Sequence, residues 1–131
     1  MTHRVLIGIL VLGGLLAVGC SGSDADALGV GAQCTSNDEC DSSDDFAEVC
    51  LTEFAGGYCG LSGCTEDLDC PLDSACIAHT ATESYCFRTC VDKPDCNRNR
   101  DVENESNCSS SVNFTDGANG RKACVPPSSG S

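Results

Sequence analysis

The chain has 131 residues, of which 13 are cysteine, and a formal net charge of −13 at pH 7. So high a cysteine content in a short chain is typical of disulfide scaffolds. The strong negative charge argues against a nucleic-acid-binding protein, because the phosphate groups would be repelled.

The first residues predict an export signal. Residues 5–18 are almost wholly apolar and follow the basic residue Arg4. This run is shorter than the ~20 residues that a membrane-spanning helix needs. We therefore expect residues 1–19 to be a signal peptide, with an apolar helix, that is removed after export.

The end of the signal resembles the lipobox of bacterial lipoproteins, in which a small residue precedes an obligatory cysteine. The matching segment is Ala17-Val18-Gly19-Cys20, with Ala17 where that family usually has Leu. The resemblance implies that Cys20 carries lipid and becomes the new N-terminus, which anchors the chain to a membrane. The alternative is an ordinary cut after Gly19, but it leaves an odd number of cysteines in an exported protein.

Residues 20–33 hold the lipidated cysteine and a small, acidic segment, which we expect to be a flexible tether. Beyond it, twelve cysteines form three consecutive groups of four, which we name unit 1 (34–59), unit 2 (64–86) and unit 3 (90–124). Residues 125–131 are expected to be a disordered tail. The cysteines that we expect to form disulfides are Cys34, Cys40, Cys50, Cys59, Cys64, Cys70, Cys76, Cys86, Cys90, Cys96, Cys108 and Cys124.

Each unit begins with two cysteines that bracket five residues, the last of which is acidic: Glu39, Asp69 or Asp95. Units this short bury too little apolar surface to fold alone, so we expect disulfides to stabilise them in an oxidising compartment. Four cysteines allow three pairings. If the units are autonomous, we favour the interleaved pairing, in which the first cysteine bonds the third and the second bonds the fourth.

The predicted fold class is small and disulfide-rich: three tandem four-cysteine units of short β-hairpins and turns, with little helix in the mature chain. Gly56-Gly57 predicts the hairpin turn of unit 1, and Asp116-Gly117 or Asn119-Gly120 that of unit 3. The links 60–63 and 87–89 are short. They predict a rod or compact string in which each unit contacts mainly its neighbours.

The cysteine bracket, followed by Gly57-Tyr58-Cys59 in unit 1 or Ser84-Tyr85-Cys86 in unit 2, resembles the cysteine-rich repeats of predicted myxobacterial lipoproteins. It is also similar to the Dickkopf N-terminal cysteine-rich region and to EB modules. The resemblance covers residues 34–124, although unit 3 has Lys122-Ala123 where the other units have an aromatic residue before the last cysteine. It implies a small disulfide-rich binding module, without any role in Wnt signalling.

Basic residues of the mature chain are confined to unit 3 and the link before it, since residues 24–83 contain 14 acidic residues and no Lys or Arg. The acidic half is either a docking surface for a cationic partner or a surface that maintains solubility. The longest loop between cysteines, 97–123, is the candidate binding loop, because function concentrates on long loops held by a rigid frame; a tolerated insertion is the alternative. Its candidate contact residues are Arg98, Arg100, Phe114, Arg121 and Lys122.

The sequence predicts no catalytic site and no cofactor. His79 is the one histidine outside the signal, no nucleophile motif surrounds it, and we expect it to be an exposed loop residue. Zinc is disfavoured because no Cys-x2-Cys pair is present. A calcium site is an alternative that the sequence leaves open, although turn capping also explains why acidic residues occur at these positions. The candidate calcium ligands are Asp67 with Asp69, and Asp38 with Glu39 and Asp41.

These observations predict a membrane-anchored, non-enzymatic cysteine-rich lipoprotein of the cell envelope, whose units bind a protein or a polysaccharide. Ser21 after the anchor cysteine is compatible with the outer membrane of a Gram-negative bacterium, by resemblance to enterobacterial sorting rules. One alternative is a secreted module that presents loop 97–123 to a protease as an inhibitor. The other is a binder of divalent cations.

The intact mass of the mature protein tests the anchor and the oxidation state together. We expect a chain that begins at Cys20, carries a thioether-linked diacylglycerol and has lost 12 hydrogens through disulfide formation. A mass that corresponds to an unmodified Cys20, or to several free thiols in material from the native envelope, would contradict this expectation.

Overall fold

A computed structural model describes residues 29–41 and 45–130, and the predicted signal peptide and Cys20 lie outside these residues. The described part of the chain is a small, cysteine-rich fold of short β-strands and hairpins, with only single-turn helices. The prediction of hairpins with little helix is therefore confirmed. None of the helices in the described ranges has the length and apolar character that a membrane span requires.

Six disulfides link the described cysteines, and each bond stays within one unit. The first cysteine bonds the third and the second bonds the fourth, which is the interleaved pairing. Cα–Cα separations between 5.3 and 6.0 Å are ordinary for disulfides. The bonds are Cys34–Cys50, Cys40–Cys59, Cys64–Cys76, Cys70–Cys86, Cys90–Cys108 and Cys96–Cys124. So many disulfides are typical of an extracellular or exported protein.

Seven strands form two antiparallel sheets in the described residues. The small sheet pairs β1 (Val49–Cys50) with β2 (Cys59–Gly60), and the larger one has the order β5-β7-β4-β3-β6. The strands of the larger sheet are β3 (Ser74–Ala78), β4 (Ser84–Cys90), β5 (Asn107–Ser109), β6 (Asn113–Phe114) and β7 (Lys122–Val125). The helices are the single α-turn α1 (Lys93–Cys96) and the 3-10 turns Asn37–Glu39, Asp67–Asp69 and Val102–Asn104.

The hairpin of unit 1 turns at the predicted glycine pair. Gly56 and Gly57 have φ angles of +73° and +69°, which L side chains rarely adopt. A Cβ atom at position 57 would lie 2.1 Å from the carbonyl oxygen of Cys34. Glycine is therefore required at this position by both its backbone conformation and its packing.

Unit 2 forms the central hairpin, β3–β4, although its turn contains no glycine. The turn is closed by Thr80 and Glu83: the Glu83 amide donates to Thr80 Oγ1 over 3.0 Å, and the His79 amide donates to the Glu83 carbonyl over 2.9 Å. Hydrogen bonds of the Thr80 side chain thus stabilise this turn, which needs no glycine.

Unit 3 encloses the hairpin of unit 2 from both sides. Its strands β5 and β7 lie beyond β4, whereas the short strand β6 crosses to the far edge and pairs with β3. The two units therefore share one sheet. The expected hairpin of unit 3 exists as the β5–β7 pair, with β6 inserted between its strands in the sequence.

All three units contribute to one apolar core, which lies among the hairpin of unit 1 and the larger sheet. Its buried members are Val30, Leu51, Phe54, Tyr58, Ala75, Ile77, Tyr85, Phe87, Phe114 and Ala123. Unit 1 also contacts unit 3 directly, so the expectation of a rod in which units contact mainly their sequence neighbours is wrong. The apolar side chains that one unit could not bury alone are buried where the units meet.

The C-terminal end of the expected tether is packed as well. Val30 and Ala32 are at most 1% exposed, and residues 31 and 32 exchange backbone hydrogen bonds of 2.9 Å with Cys59. Gln33 donates from Nε2 to Asp101 of unit 3 over 2.8 Å. The described fold thus includes residues 29–33, so this part of the expected flexible tether is packed against units 1 and 3.

Residues 125–130, which we name the C-terminal segment, also differ from the expected disordered tail. Ala55 donates its amide to the Pro127 carbonyl over 2.8 Å, and Ser129 donates its amide to Glu53 over 2.9 Å. Phe54 and Ser128 form an isolated antiparallel bridge. The segment adds an extended stretch to unit 1, which satisfies backbone groups that the short hairpin of unit 1 leaves open.

Two polar side chains join the units through the core. The buried hydroxyl of Tyr58 accepts a hydrogen bond from the Arg88 amide (3.0 Å) and donates to the Cys124 carbonyl (3.3 Å). Burial raises the pKa of Tyr58, so the hydroxyl remains a donor. One side chain of unit 1 thereby contacts two neighbouring strands of the larger sheet, β4 and β7.

Arg100 of unit 3 is the second such side chain, and it is only 7% exposed. Its guanidinium lies 5.6 Å from the ring centroid of Tyr58, and burial lowers its pKa, although an arginine remains charged. Its donors satisfy backbone carbonyls at the turn of unit 1, before unit 1 and within unit 3: Ala55 (2.8 Å), Gly57 (2.9 Å), Gly31 (3.3 Å) and Asn104 (2.8 Å).

We expect Arg100→Ala to lower the free energy of unfolding by about 3 kcal/mol, because several buried carbonyls lose a charged donor at once. The measurement is unfolding in guanidinium chloride with the disulfides intact. Arg98→Ala, at an exposed arginine two residues earlier, is the matched control and should change stability by less than about 0.5 kcal/mol. Equal effects of the two substitutions would contradict the role given to Arg100.

Candidate binding site

The structure separates the five residues predicted for the candidate binding loop. Arg100 is buried and Phe114 is 8% exposed, so both belong to the interior. Arg121 is half-buried over the Phe114 ring, 4.8 Å from its centroid. Only Arg98 and Lys122 are exposed. Loop 97–123 therefore does not present these residues as one contact surface.

The basic residues of this loop other than Arg100 have partners within the fold, either in unit 3 itself or in unit 2. Arg121 pairs with Asp67 of unit 2 at 2.8 Å, and Arg98 pairs with Asp95 at 3.6 Å. Lys122 donates to the Val91 carbonyl over 3.3 Å. Sequence reasoning interpreted these charges as contacts for a partner. The partners of Arg121 and Lys122 inside the fold are distant in sequence, whereas Asp95 lies only three residues before Arg98.

The acidic residue that closes each cysteine bracket has a structural role. Its carboxylate accepts the amide of the residue four positions earlier: Thr35 for Glu39 (2.6 Å), Thr65 for Asp69 (2.7 Å) and Val91 for Asp95 (2.9 Å). These backbone hydrogen bonds are the first cause that lowers the pKa of each of the three carboxyls. The repeated acid thus caps the helical turn between the two cysteines.

Three of the five candidate calcium ligands, Glu39, Asp67 and Asp69, accept hydrogen bonds from backbone amides. Asp67 accepts the Cys76 amide on Oδ1 (3.0 Å) and pairs with Arg121 through Oδ2. In unit 1, Asn37 occupies the position of Asp67 and accepts the Cys50 amide over 2.9 Å. An uncharged amide performs this task equally well, which favours turn capping as the reason for acids in the brackets.

A different group of side chains forms a cleft, which we name the acidic cleft. It is a cavity of about 250 Å³ where the hairpin of unit 1, the β3–β4 turn and the C-terminal segment meet. Its residues are Glu53, Phe54, His79, Thr80, Glu83, Tyr85 and Ser128. None of them is basic apart from the histidine.

Aromatic rings form the floor of the acidic cleft. The His79 ring lies edge-on to Phe54 and Tyr85, with centroids 5.6 and 5.7 Å apart, and it is only partly exposed. The expectation that His79 is a simple exposed loop residue is therefore wrong. Edge-to-face contacts of this kind stabilise aromatic clusters and fix the position of each ring.

Two carboxylates form the rim of the acidic cleft. Glu53 and Glu83 are both exposed, and the Glu83 side chain accepts a hydrogen bond from Thr80 Oγ1 over 3.3 Å. Burial, followed by the negative charges of Glu53 and Glu83, raises the pKa of Tyr85. Both carboxylates thus lie close enough to the Tyr85 phenol to disfavour its ionisation.

Sequence reasoning did not single out Glu53 or Glu83. The available signal was the run of acidic residues without Lys or Arg up to position 83, which indicates a negative surface but not a place on it. The cleft brings together residues from three separate parts of the chain. No family model, no curated protein and no solved structure matches this chain.

The capping acids predict an acid-labile fold. Because their folded pKa values lie below the ordinary 4.5 for Glu39 and 3.8 for Asp69 and Asp95, they contribute stability above those ordinary values. That contribution is lost as the pH falls through the lowered folded values. We expect Asp69→Asn to be less stable than the parent chain at pH 7 and to approach it near pH 2.

Unfolding in guanidinium chloride at several pH values measures this effect. Asp38→Asn is the matched control, since it removes an exposed negative charge of the unit 1 bracket that makes none of the capping bonds described above. If the difference in unfolding free energy between the parent chain and Asp69→Asn stays constant from pH 7 to pH 2, the cap does not depend on ionisation of Asp69.

Proposed function

We propose that this chain is a non-enzymatic binding module of the bacterial cell envelope, anchored through lipid on Cys20. The acidic cleft binds a cationic side chain of a protein partner. The observation that carries this proposal is the cleft itself, which is lined by the carboxylates Glu53 and Glu83 together with the rings of Phe54, His79 and Tyr85.

Export and anchoring are supported by the sequence and by the cysteine count. Six disulfides fit an oxidising compartment. Lipid on Cys20 accounts for the thirteenth cysteine without leaving a free thiol. We place the module in the outer membrane, as the sequence predicts. The module consists of three tandem four-cysteine units that follow an apolar signal helix.

The chemistry of the acidic cleft favours a guanidinium or ammonium group. Carboxylates attract the positive charge, and an aromatic floor adds a favourable interaction with a cation once water is displaced. A guanidinium fits best, because its planar fork bonds two carboxylate oxygens at once and its face packs on aromatic rings. The excess of negative charge in the whole chain also accelerates the approach of a basic partner.

A small rigid module suits this use. The floor of the cleft is fixed by the shared core, and its rim is fixed by the hydrogen-bonded β3–β4 turn and by the C-terminal segment. A preformed site loses little conformational entropy when a partner binds. The cavity of about 250 Å³ accommodates one side chain rather than a large ligand, so the partner is a protein whose remaining contacts lie around the cleft.

The protease-inhibitor alternative receives less support from the geometry. An inhibitor loop must present exposed residues to a protease, whereas loop 97–123 uses Arg100, Phe114 and Arg121 for contacts within the fold. The divalent-cation alternative is weakened because the bracket acids bind backbone amides. Inhibition of a protease in a panel would support the inhibitor alternative. A rise of the unfolding temperature on addition of calcium would support the divalent-cation alternative.

We expect an acetylated Gly-Arg-Gly amide peptide to shift the NMR resonances of His79 and Tyr85, and a Gly-Gln-Gly peptide to leave them unchanged. Glu53→Gln with Glu83→Gln should weaken peptide binding at least about fivefold, since roughly 1 kcal/mol of charge attraction is lost. Glu66→Gln is the matched control, because it removes an exposed carboxylate of unit 2 outside the cleft.

The natural partner is sought by pulldown from detergent-solubilised envelope with the parent chain and with the double variant. A protein captured by the parent chain and lost with the double variant supports the proposal. Equal shifts with both peptides, or a partner whose capture does not depend on the two glutamates, would overturn the assignment of the cleft. Capture of a polysaccharide in place of a protein would do the same.

A further inference from the structure

One disulfide differs from the others in its exposure. Ten of the twelve bonded cysteines are at most 9% exposed. Cys90 and Cys108, which bond each other, are the two that are only partly buried. Thiol–disulfide exchange requires that a thiolate reach a disulfide sulfur. Among the six described bonds, access therefore favours attack on Cys90–Cys108.

Cys90 also lines a cavity of about 370 Å³ beside the end of β4. Arg121 and Lys122 line the same cavity, together with a single carboxylate, that of Asp95. Lys122 is the Cα partner of Cys90 in the β4–β7 pairing, so their side chains leave the sheet on the same face. Among the described residues Lys122 forms no ion pair, and its ammonium donates only to a carbonyl.

The local charge at this cavity is opposite to that of the chain as a whole. The chain carries a formal net charge of −13, but at ~0.1 M salt charges beyond ~10 Å are largely screened. Nearby groups then determine the field at Cys90. Arg121 is paired with Asp67 and Asp95 is paired with Arg98, so among the described residues that line the cavity the Lys122 ammonium is the charge without an ion pair, and it makes the local field positive. A thiolate that approaches Cys90 is attracted at short range, and a departing thiolate is stabilised in the same way.

We propose that Cys90–Cys108 is an exchange site for small anionic thiols. The thiolate attacks Cys90 Sγ, the Cys90–Cys108 bond breaks, and a new disulfide joins the thiol sulfur to Cys90. Cys108 leaves as a thiolate and takes a proton from water. The incoming sulfur is oxidised to the disulfide level and Cys108 is reduced, so electrons balance without a further oxidant.

The released Cys108 thiolate has a second disulfide within reach. The sulfurs of Cys90, Cys96 and Cys108 all lie within 4.8 Å of one another, and Cys96 is bonded to Cys124. Attack of Cys108 on Cys96 forms a Cys96–Cys108 bond and releases Cys124 as a thiolate. Exchange at the exposed bond is thus positioned to rearrange unit 3, while the disulfides of units 1 and 2 stay buried.

The test treats the folded, oxidised protein with 2-mercaptoethanesulfonate, 2-mercaptoethanol or cysteamine, which carry a negative, zero or positive charge besides the thiol. Rates are compared at equal thiolate concentration and ~0.1 M salt, and adducts are located by peptide mapping after alkylation. We expect the first adduct on Cys90, with a free thiol on Cys108 or Cys124. The anionic thiol should react about tenfold faster than the cationic one.

Lys122→Gln should reduce this preference by at least about threefold and leave the site of attack unchanged. Lys93→Gln is the matched control, since it removes a positive charge of unit 3 that does not line the cavity. A first adduct on a cysteine of unit 1 or unit 2 would overturn the proposal. So would a cationic thiol that reacts as fast as the anionic one, or equal effects of the two lysine variants.

Discussion

Crossed disulfides are the constraint on which the rest of this structure depends. Each unit has two bonds whose loops interleave, with sequence separations from 12 to 28 residues. A bond that closes a loop of this size stabilises a fold by on the order of 3 kcal/mol through the unfolded chain. Without the bonds, ten buried core residues from such short and irregular elements would not offset the conformational entropy of ordering the chain.

The disulfides fix each unit internally but do not orient one unit against another. The units are oriented by contacts between residues that are distant in sequence. Unit 3 places strands on both edges of the unit 2 hairpin, whereas unit 1 is held by the Arg100 guanidinium and the Tyr58 hydroxyl. Backbone carbonyls that face the interior need donors, and a single buried arginine supplies several of them.

The acidic cleft arises where these contacts meet. Its residues come from the hairpin of unit 1, the turn of unit 2 and the segment after unit 3, so the site exists only once the units have assembled. The negative charge of the chain is thus divided between two tasks. The bracket acids cap local turns, and Glu53 and Glu83 line a preformed opening.

Local features of the fold follow from the sequence because their causes lie within a few residues. The cysteine groups and their number, the glycine turn of unit 1, the scarcity of helix and the oxidising compartment all have such causes. The capping role of Glu39, Asp69 and Asp95 was also available, since a carboxylate four residues after an amide reaches it across one turn.

The tertiary structure alone decided which distant groups meet. Arg100 bonds the carbonyl of Gly31, 69 positions away, and Tyr58 bonds that of Cys124, 66 positions away. No local pattern specifies such partners, because any buried carbonyl accepts any donor that packing brings to it. For that reason the sequence suggested a rod, a disordered tail and an exposed His79, and the folded chain has a shared core, a docked C-terminal segment and a cleft.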